Sequence, residues 1–302
     1  MTTHYDLIVV GEGYAGLTCA REAVKLGLTV ATFEAELFGG LALNINELHH
    51  FDEAAGASGM DHAAMLATAN AEAGVESINV PVTAIRRAGD ILEIDCDAGT
   101  RTARAVVIAS GARLEKLGIP GEESFEGRGV SRCADCDAPI FVDAKVVVVG
   151  DTDWAIHEAL VLTQYASTVY LVHEGNDLRA CAEYIERLNS QPNIEKIANA
   201  AIEEILGNGN GVTGVRVRDS AGTRVLECAG VFPFVGLAPN SEIAPAEISR
   251  DRHNALQVDA ECETGMPNVF AIGTVRAGAS GWLSDAVEDA RRAARMAKAR
   301  LD

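Results

Sequence analysis

Several features that would assign the 302-residue chain to other protein classes are missing. Apolar runs such as 106–109 and 146–149 fall far short of the roughly 20 residues that span a bilayer, so we expect no membrane helix. The N-terminus has neither a basic start nor an apolar secretory stretch, and we therefore expect a cytoplasmic protein. Basic residues are few, and the net charge of −19 disfavours nucleic acids and anionic membranes as partners.

Cysteine is also scarce, with seven residues of which only Cys133 and Cys136 form a close pair. An odd number with one close pair does not fit the disulfide framework of a secreted domain. A zinc site would need a second close pair of ligands, and His49–His50 is the only histidine cluster. We therefore expect no metal and one special cysteine pair, with inert buried thiols as the alternative.

Hydrophobic patterning indicates two βαβ units. A strand-like run over 6–11 ends in glycine, helical spacing follows over 16–26, and a second buried strand covers 28–33. The same strand, helix and strand return over 145–172. The sequence predicts an α/β fold of two Rossmann-like nucleotide-binding domains, each a three-layer ββα arrangement, with the second inserted in the first.

The boundaries of the inserted domain are placed where Pro and Gly cluster. We assign the first domain to residues 1–113 and 239–302 and the inserted domain to 114–238. Alternating patterns over 91–96 and 214–218 predict a small antiparallel hairpin appended to each domain.

A glycine fingerprint opens the first helix. Gly11, Gly13 and Gly16 form the pattern GxGxxG directly after a strand, and Glu34 ends the next strand. The first glycine permits a tight turn, the second lets a pyrophosphate approach the backbone, and the third lets the helix pack on the strand. The helix N-terminus favours phosphates and the acid can accept ribose hydroxyls, so the pattern predicts a dinucleotide site. The alternative is a glycine turn without a ligand.

The second chemical signal is Cys133-Ala134-Asp135-Cys136-Asp137. Two thiols separated by two residues can close a small disulfide, and a neighbouring acid can manage the proton that each redox cycle moves.

With these motifs the chain resembles the low-molecular-weight thioredoxin reductase family over nearly its whole length. Further segments occur in the same order as in that family: Gly39-Gly40, Ala109-Ser110-Gly111-Ala112, Leu117-Gly118-Ile119-Pro120-Gly121-Glu122, Gly127-Arg128-Gly129-Val130-Ser131, Val235-Gly236 with Pro239-Asn240, and Pro267-Asn268-Val269-Phe270-Ala271-Ile272-Gly273.

The resemblance implies a homodimeric disulfide oxidoreductase that holds FAD and acts on a thioredoxin-like protein or a small dithiol or disulfide. It implies that Cys136 lies nearer the flavin, that Cys133 exchanges with the substrate, and that Asp137 is the acid/base. The FAD-binding residues that it implies are Gly11, Gly13, Tyr14, Ala15, Gly16, Glu34, Ala35, Gly39, Gly40, Leu41, Asn44, His50, Ala109, Ser110, Gly111, Gly273, Thr274 and Trp282.

The sequence departs from the family at the second nucleotide site, where the family normally binds NADPH. The fingerprint there runs from Gly150 through Asp151 and Thr152 to Trp154, so a pyrophosphate meets a threonine side chain and neighbouring acids. Glu174 replaces an arginine that the family uses for the 2′-phosphate. We therefore expect that the chain does not use NADPH; the alternative is a drifted loop that still admits it.

The first domain departs from the family as well. Thr274 follows Gly273 where the family has an aspartate that meets the FAD, and it can still donate or accept a hydrogen bond. Trp282 stands where an Arg-Gln pair lies beside the flavin, and its indole could stack on the flavin ring. A plain core tryptophan is the alternative for Trp282 and for Trp154.

These departures place the chain in a branch of the family that lacks the NADPH motifs, either ferredoxin-linked or diflavin-linked. The leading hypothesis is electron exchange between FAD and the Cys133–Cys136 pair, with ferredoxin or a second FAD in the former NADPH site as donor. A dithiol oxidase that uses oxygen is the alternative enzyme. A flavin-binding redox sensor is the alternative of another class.

Overall fold

The computed structural model describes residues 4–45 and 58–302. The chain divides into two compact units, one of residues 1–113 and 238–302 and the other of residues 114–237. The second crossing between them lies one residue before the expected position.

Among its described residues, the first part of unit 1 contains seven strands and two α-helices. In chain order these are β1 (His4–Val10), α1 (Tyr14–Lys25), β2 (Val30–Phe33), α2 (Gly59–Glu72), β3 (Glu76–Ile78), β4 (Val82–Ala88), β5 (Ile91–Cys96), β6 (Gly99–Ile108) and, at the crossing, β7 (Ala112–Leu114).

Unit 2 follows and is itself a strand-rich α/β unit. Its elements are α3 (Ala134–Asp137), β8 (Lys145–Val149), α4 (Asp153–Leu162), β9 (Thr168–Val172), α5 (Ala182–Asn189), β10 (Ile194–Ile197), β11 (Ala201–Asn208), β12 (Gly211–Asp219), β13 (Gly222–Glu227) and β14 (Gly230–Pro233). The chain then returns to unit 1 through β15 (Leu237–Pro239), β16 (Val269–Ala271) and α6 (Leu283–Leu301).

A parallel sheet forms the centre of unit 1. The strands lie in the order β3-β2-β1-β6, and the end of β6 also pairs with β16. Val9 lies opposite Thr32 on one side and Val107 on the other. Because helices and loops cover both faces, these strands are apolar along their length rather than alternating. β4 and β5 extend the start of β6 as the antiparallel hairpin that the sequence predicts.

One face of this sheet is closed by α1 and α6. Both helices turn alanines towards the sheet and towards each other, and Ala20, Ala23, Ala290, Ala293 and Ala297 are fully buried. Small side chains let the two helices approach closely, because no long side chain has to be accommodated between them. The carboxyl ends of β1, β6 and β16 thereby meet the start of α1.

Unit 2 repeats the plan on a smaller scale. A parallel sheet in the order β10-β9-β8-β14 has α4 and α5 packed on one face, and the antiparallel strands β11-β12-β13 lie against the other. The predicted fold class is confirmed. Across the described ranges, no helix is both long and apolar enough to cross a membrane.

The second helix of unit 2, α4, follows the parallel strand β8, ends at Leu162 and continues as hydrogen-bonded turns to Ala166. The side-chain amide of Asn193 donates to the carbonyl oxygens of Thr163 and Ala166 just beyond its end.

Replacing Phe270 by Ala should lower the free energy of unfolding by about 3–5 kcal/mol, since its fully buried ring lies in β16 under α1 and α6. Urea denaturation of the flavin-free protein measures the change. Met65→Ala, at a side chain of α2 that is 54% exposed, is the control, and its free energy of unfolding should stay within about 0.5 kcal/mol of the wild-type value. Equal effects of the two changes would contradict the packing described here.

Candidate active site

The glycine fingerprint of unit 1 is fixed by two close contacts. Gly11 has φ of 106°, and a Cβ atom there would lie 2.4 Å from the carbonyl oxygen of Ala109. A Cβ atom at Gly16 would lie 1.9 Å from the carbonyl oxygen of Gly11. Neither position can hold a side chain, and the start of α1 is therefore pressed against the ends of β1 and β6.

Gly13 is different, because a Cβ atom there would meet nothing within 4 Å. It begins α1 without a side-chain cap, and the first turn of the helix has no acidic residue. Gly39 donates its N–H to the carbonyl oxygen of Glu12 at 2.7 Å, and a Cβ atom of Gly40 would lie 3.4 Å from Gly13. These glycines form an open cradle at a helix N-terminus, which suits a pyrophosphate.

Glu34 lies beside this cradle with its carboxylate held by backbone groups. Its oxygens accept the N–H groups of Glu12 and Ala35 at 2.8 Å and that of Glu36 at 3.0 Å. A carboxylate has about four acceptor positions, so one is left for a ribose hydroxyl. Glu12 itself is buried and accepts the hydroxyl of Thr32 at 2.5 Å.

The segment 109–111 closes another side of the cradle and is held by a residue that the predicted site did not include. The side-chain amide of Asn240 donates to the main-chain carbonyl oxygen of Ser110 at 2.9 Å, and the main-chain carbonyl oxygen of Asn240 accepts the hydroxyl of Ser110 at 2.7 Å. Its N–H also donates to Gly111. The Pro-Asn motif at 239–240 was the sequence signal for this contact.

Gly273 and Thr274 follow β16 and lie on the same sheet edge. A Cβ atom of Gly273 would lie 3.1 Å from that of Ala15, and one of Gly111 would lie 3.6 Å from Oγ1 of Thr274. The N–H of Gly273 donates to Asp289 at 3.1 Å, an acid of α6 that is buried and paired with Arg276 at 2.5 Å. Nothing in the sequence pattern singled out Asp289.

The remaining FAD-binding candidates are less uniformly placed. Leu41 and Asn44 lie on the 3₁₀ turn Gly40–Asn44, and the hydroxyl of Tyr14 lies 2.5 Å from Nδ1 of His62. His50 lies outside the described residues. Trp282 precedes α6 and is 51% exposed, so its interpretation as a core tryptophan is wrong.

Taken together, the cradle, Glu34 and the 109–111 segment fit an FAD.

The cysteine pair lies in unit 2 as a disulfide between Cys133 and Cys136. The N–H of Cys136 donates to the sulfur of Cys133 at 3.1 Å, and the hydroxyl of Ser131 accepts the N–H of Cys133. Cys133 is buried and Cys136 is exposed, while Asp137 ends the same short helix and is partly buried. The pair is therefore a disulfide with one exposed cysteine rather than two buried thiols.

Glu158 is a site residue that sequence reasoning missed. This side chain of α4 is 2% exposed, and its carboxylate accepts the N–H of Ala134 at 2.7 Å and the indole N–H of Trp154 at 3.0 Å. Burial raises the pKa of Glu158 to about 7, against the lowering effect of these two hydrogen bonds. An acid on an apolar helix, at i+4 from a tryptophan, was the only signal.

At the second nucleotide fingerprint, the acidic residues of the turn form hydrogen bonds with the segment 179–181. Gly150 keeps its close approach, with a Cβ atom placed 2.3 Å from the carbonyl oxygen of Phe234. Arg179 donates from Nε and Nη2 to both carboxylate oxygens of Asp151 at 2.7 and 2.8 Å. Asp153, in the first turn of α4, accepts the N–H of Cys181 at 2.7 Å.

This geometry corrects the expectation that Asp151 repels a phosphate. Asp151 is not a free repelling charge, because Arg179 neutralises it. Thr152 begins α4 at the middle-glycine position, and Glu174 is exposed. Trp154 packs on Phe234 with ring centroids 5.6 Å apart and lies at the edge of the core, in agreement with the core interpretation. Within 4–45 and 58–302, no three His, Cys, Asp or Glu side chains are grouped to hold a metal ion.

Comparison with known proteins agrees with this assembly of motifs, since the family model for pyridine nucleotide-disulphide oxidoreductases matches residues 5–297. The chain belongs to this family. A thioredoxin reductase of Treponema pallidum (strain Nichols) is 35% identical over 305 residues, covering 100% of this chain and 99% of its own. The family resemblance read from the sequence is thus confirmed at the level of thioredoxin reductases.

Solved structures of the family give the same result. The crystal structure of Lactococcus lactis thioredoxin reductase is similar with a TM-score of 0.93 at 29% identity, covering 98% of this chain and 99% of that one. A ferredoxin-flavin thioredoxin reductase from Clostridium acetobutylicum is similar with a TM-score of 0.55 at 26% identity, and the match covers 100% of this chain and 99% of that one.

Alanine at Gly13 and alanine at Gly16 should affect different properties, FAD binding in the first case and stability in the second. Gly16→Ala should lower the free energy of unfolding by about 1–3 kcal/mol, because its Cβ meets a backbone oxygen. Gly13→Ala should fold with a stability within about 1 kcal/mol of the wild type and lose FAD, because its Cβ fills the cradle. Urea denaturation and the flavin absorbance retained after gel filtration measure the two effects. Full retention of FAD by Gly13→Ala would contradict the assignment of the cradle.

Proposed function

We propose that the protein is an FAD-dependent disulfide oxidoreductase that passes electrons between flavin and the Cys133–Cys136 pair, and onward to a thioredoxin-like protein or a small dithiol. The observation that carries this proposal is the disulfide closed at the start of α3, with one exposed sulfur and a nearby acid, in a chain whose first unit also holds an FAD-type cradle. A homodimer is part of the proposal, by analogy with the family.

Bound FAD supplies a carrier of two electrons with a potential suited to disulfides. Gly13, Gly39 and Gly40 would hold its pyrophosphate, and Glu34 would hold a ribose. Thr274 would offer a hydroxyl where the family has a carboxylate, a weaker hydrogen-bonding partner because it carries no charge. Trp282, exposed at the start of α6, would offer an aromatic face.

The residues of unit 2 divide the disulfide chemistry between them. Cleavage of the Cys133–Cys136 bond by two electrons leaves one sulfur as a thiol and the other as a thiolate, the form that reacts with disulfides. We assign Cys136 to the flavin side and Cys133 to the substrate side. Asp137, at the end of the same helix, would move the proton.

We further propose that the electron donor is not NADPH. The arginine available for a 2′-phosphate is engaged by Asp151 through two hydrogen bonds, and the segment that carries it is also tied to Asp153 through Cys181. Thr152 adds a side chain where a pyrophosphate needs open backbone. These residues do not fit NADPH, whereas the corresponding turn of unit 1 is open.

A ferredoxin or a second flavin is the donor that we propose instead. A protein described as a ferredoxin-flavin thioredoxin reductase is among the similar structures, which supports ferredoxin as a donor for a protein of this fold. Trp154 and Phe234 give the altered site an aromatic edge against which a second flavin could stack.

Anaerobic addition of NADPH, and then of NADH, should leave the visible absorbance of the FAD-loaded protein unchanged. Dithionite is the control and should bleach the same sample completely. Prompt bleaching by one equivalent of NADPH would contradict the proposed donor and leave an ordinary nucleotide-dependent reductase. The flavin content of the fully loaded protein, one or two per chain, decides between ferredoxin and a second flavin.

Dithiothreitol should bleach the flavin anaerobically in the wild type through the Cys133–Cys136 pair. Cys136→Ser and Cys133→Ser should each slow this bleaching by at least about a thousandfold, since either change removes the disulfide. Cys181→Ser, which removes an exposed thiol elsewhere in unit 2, is the matched control and should bleach like the wild type.

Unchanged bleaching in both active-pair variants would contradict the disulfide function. Rapid peroxide formation from dithiol in air would instead favour the dithiol oxidase, and bleaching without any turnover towards a disulfide would favour the redox sensor.

A further inference from the structure

A buried carboxylate connects the disulfide of unit 2 to the helix that begins the altered nucleotide site. Glu158, on α4, accepts the N–H of Ala134, the residue that directly follows Cys133 in the redox pair. The side chain is 2% exposed, so this contact is shielded from water. A hydrogen bond to a carboxylate in such surroundings is stronger than one between neutral groups.

The surroundings of Glu158 hold it between its two protonation states. Burial disfavours the charged carboxylate, while the N–H groups of Ala134 and Trp154 favour it, and the outcome is a pKa of about 7. His157 on α4 also favours the charged form, and Asp135 on α3, 3.8 Å from Nε2 of His157, disfavours it. Tyr184 of α5 packs edge-on against His157.

Reduction of the disulfide changes this balance. Two electrons break the S–S bond and place a negative charge on a sulfur one or two residues from Ala134, unless both sulfurs are protonated. A new negative charge close to a carboxylate of low exposure disfavours its ionised form. Proton uptake by this carboxylate can therefore offset the new negative charge without placing a proton on both sulfurs.

We infer that Glu158 is a positioning residue that takes up one proton when the Cys133–Cys136 disulfide is reduced, an inference that rests on the proposed redox function of this pair. Two electrons and two protons are consumed in the step. The S–S bond breaks, one proton makes the thiol of Cys136, the second makes the carboxyl group of Glu158, and Cys133 stays a thiolate, the sulfur that accepts the N–H of Cys136. A reduced flavin or a dithiol supplies the electrons and is oxidised in turn.

The sign of the pH dependence follows from linkage. Below the pKa of Glu158 in the oxidised protein, about 7, the carboxyl group is protonated in both redox states and adds no proton to the reaction. Between that pKa and its raised value in the reduced protein, reduction takes up the extra proton. In that window the equilibrium constant for reduction should fall up to tenfold more per pH unit than it would without Glu158.

The test is a redox titration of the disulfide in dithiothreitol buffers between about pH 6 and about pH 9, a range that brackets the expected window. Free thiols are counted by maleimide labelling in a Cys181→Ser background, which removes the exposed free thiol. Glu158→Gln keeps an acceptor for Ala134 but cannot take a proton, so the extra pH dependence should vanish. Glu195→Gln, at an exposed acid of β10, is the matched control and should behave like the wild type.

Trp154→Phe provides a second variant that keeps Glu158 and its contact to Ala134. Loss of the indole N–H raises the pKa of Glu158, so the extra pH dependence should begin at a higher pH than in the wild type. Identical pH profiles in the wild type, Glu158→Gln and Trp154→Phe would overturn the inference. A disulfide that dithiothreitol does not reduce at any pH would overturn the proposed function itself, and the two failures are thereby distinguished.

Discussion

The architecture of unit 1 depends on the contact between Gly16 and the carbonyl oxygen of Gly11, an approach that no side chain permits. Because α1 is held this close to β1, its N-terminus opens at the carboxyl edge of the sheet, where the loops after β2, β6 and β16 also arrive. The glycines at 39 and 40, Ser110 and Thr274 line this edge for the same reason. A cofactor site of this kind is built by backbone proximity, and side chains such as Glu34 and Asn240 then fix its outline.

Unit 2 starts from the same strand-turn-helix geometry and diverges at its first turn. Gly150 still approaches the carbonyl oxygen of Phe234, so the packing of α4 on the sheet is retained. The positions that would face a ligand have changed instead: Asp151 pairs with Arg179, and Trp154 turns its indole N–H inward to Glu158. The fold thus separates residues that hold the helix in place from residues that recognise a nucleotide, and only the second group differs.

The sequence predicted what depends on local pattern. Continuous apolar strands, the glycine turns and the close cysteine pair fixed the fold class, the family and the disulfide, because each is encoded within a few residues. The hydrogen bonds that position the site residues could not be predicted from local pattern. Ala134 meets Glu158 from 24 residues away, and Asn240 meets Ser110 from 130, so no local periodicity predicts which residues become partners. The sequence left Trp282 open between a position beside the flavin and one in the core, because a lone tryptophan gives no sign of which it takes, and the structure shows it 51% exposed.

The ion pair between Asp151 and Arg179 also bears on what it would take to reopen the second nucleotide turn. Substitution of Arg179 alone would leave an acid without its cation beside the start of α4, and substitution of Asp151 alone would leave Thr152 in the path of a phosphate. No single replacement therefore leads back to an open nucleotide turn. Under the proposed loss of NADPH use, recovery of a nucleotide site would require coordinated changes at Asp151, Thr152 and Arg179 rather than at one position.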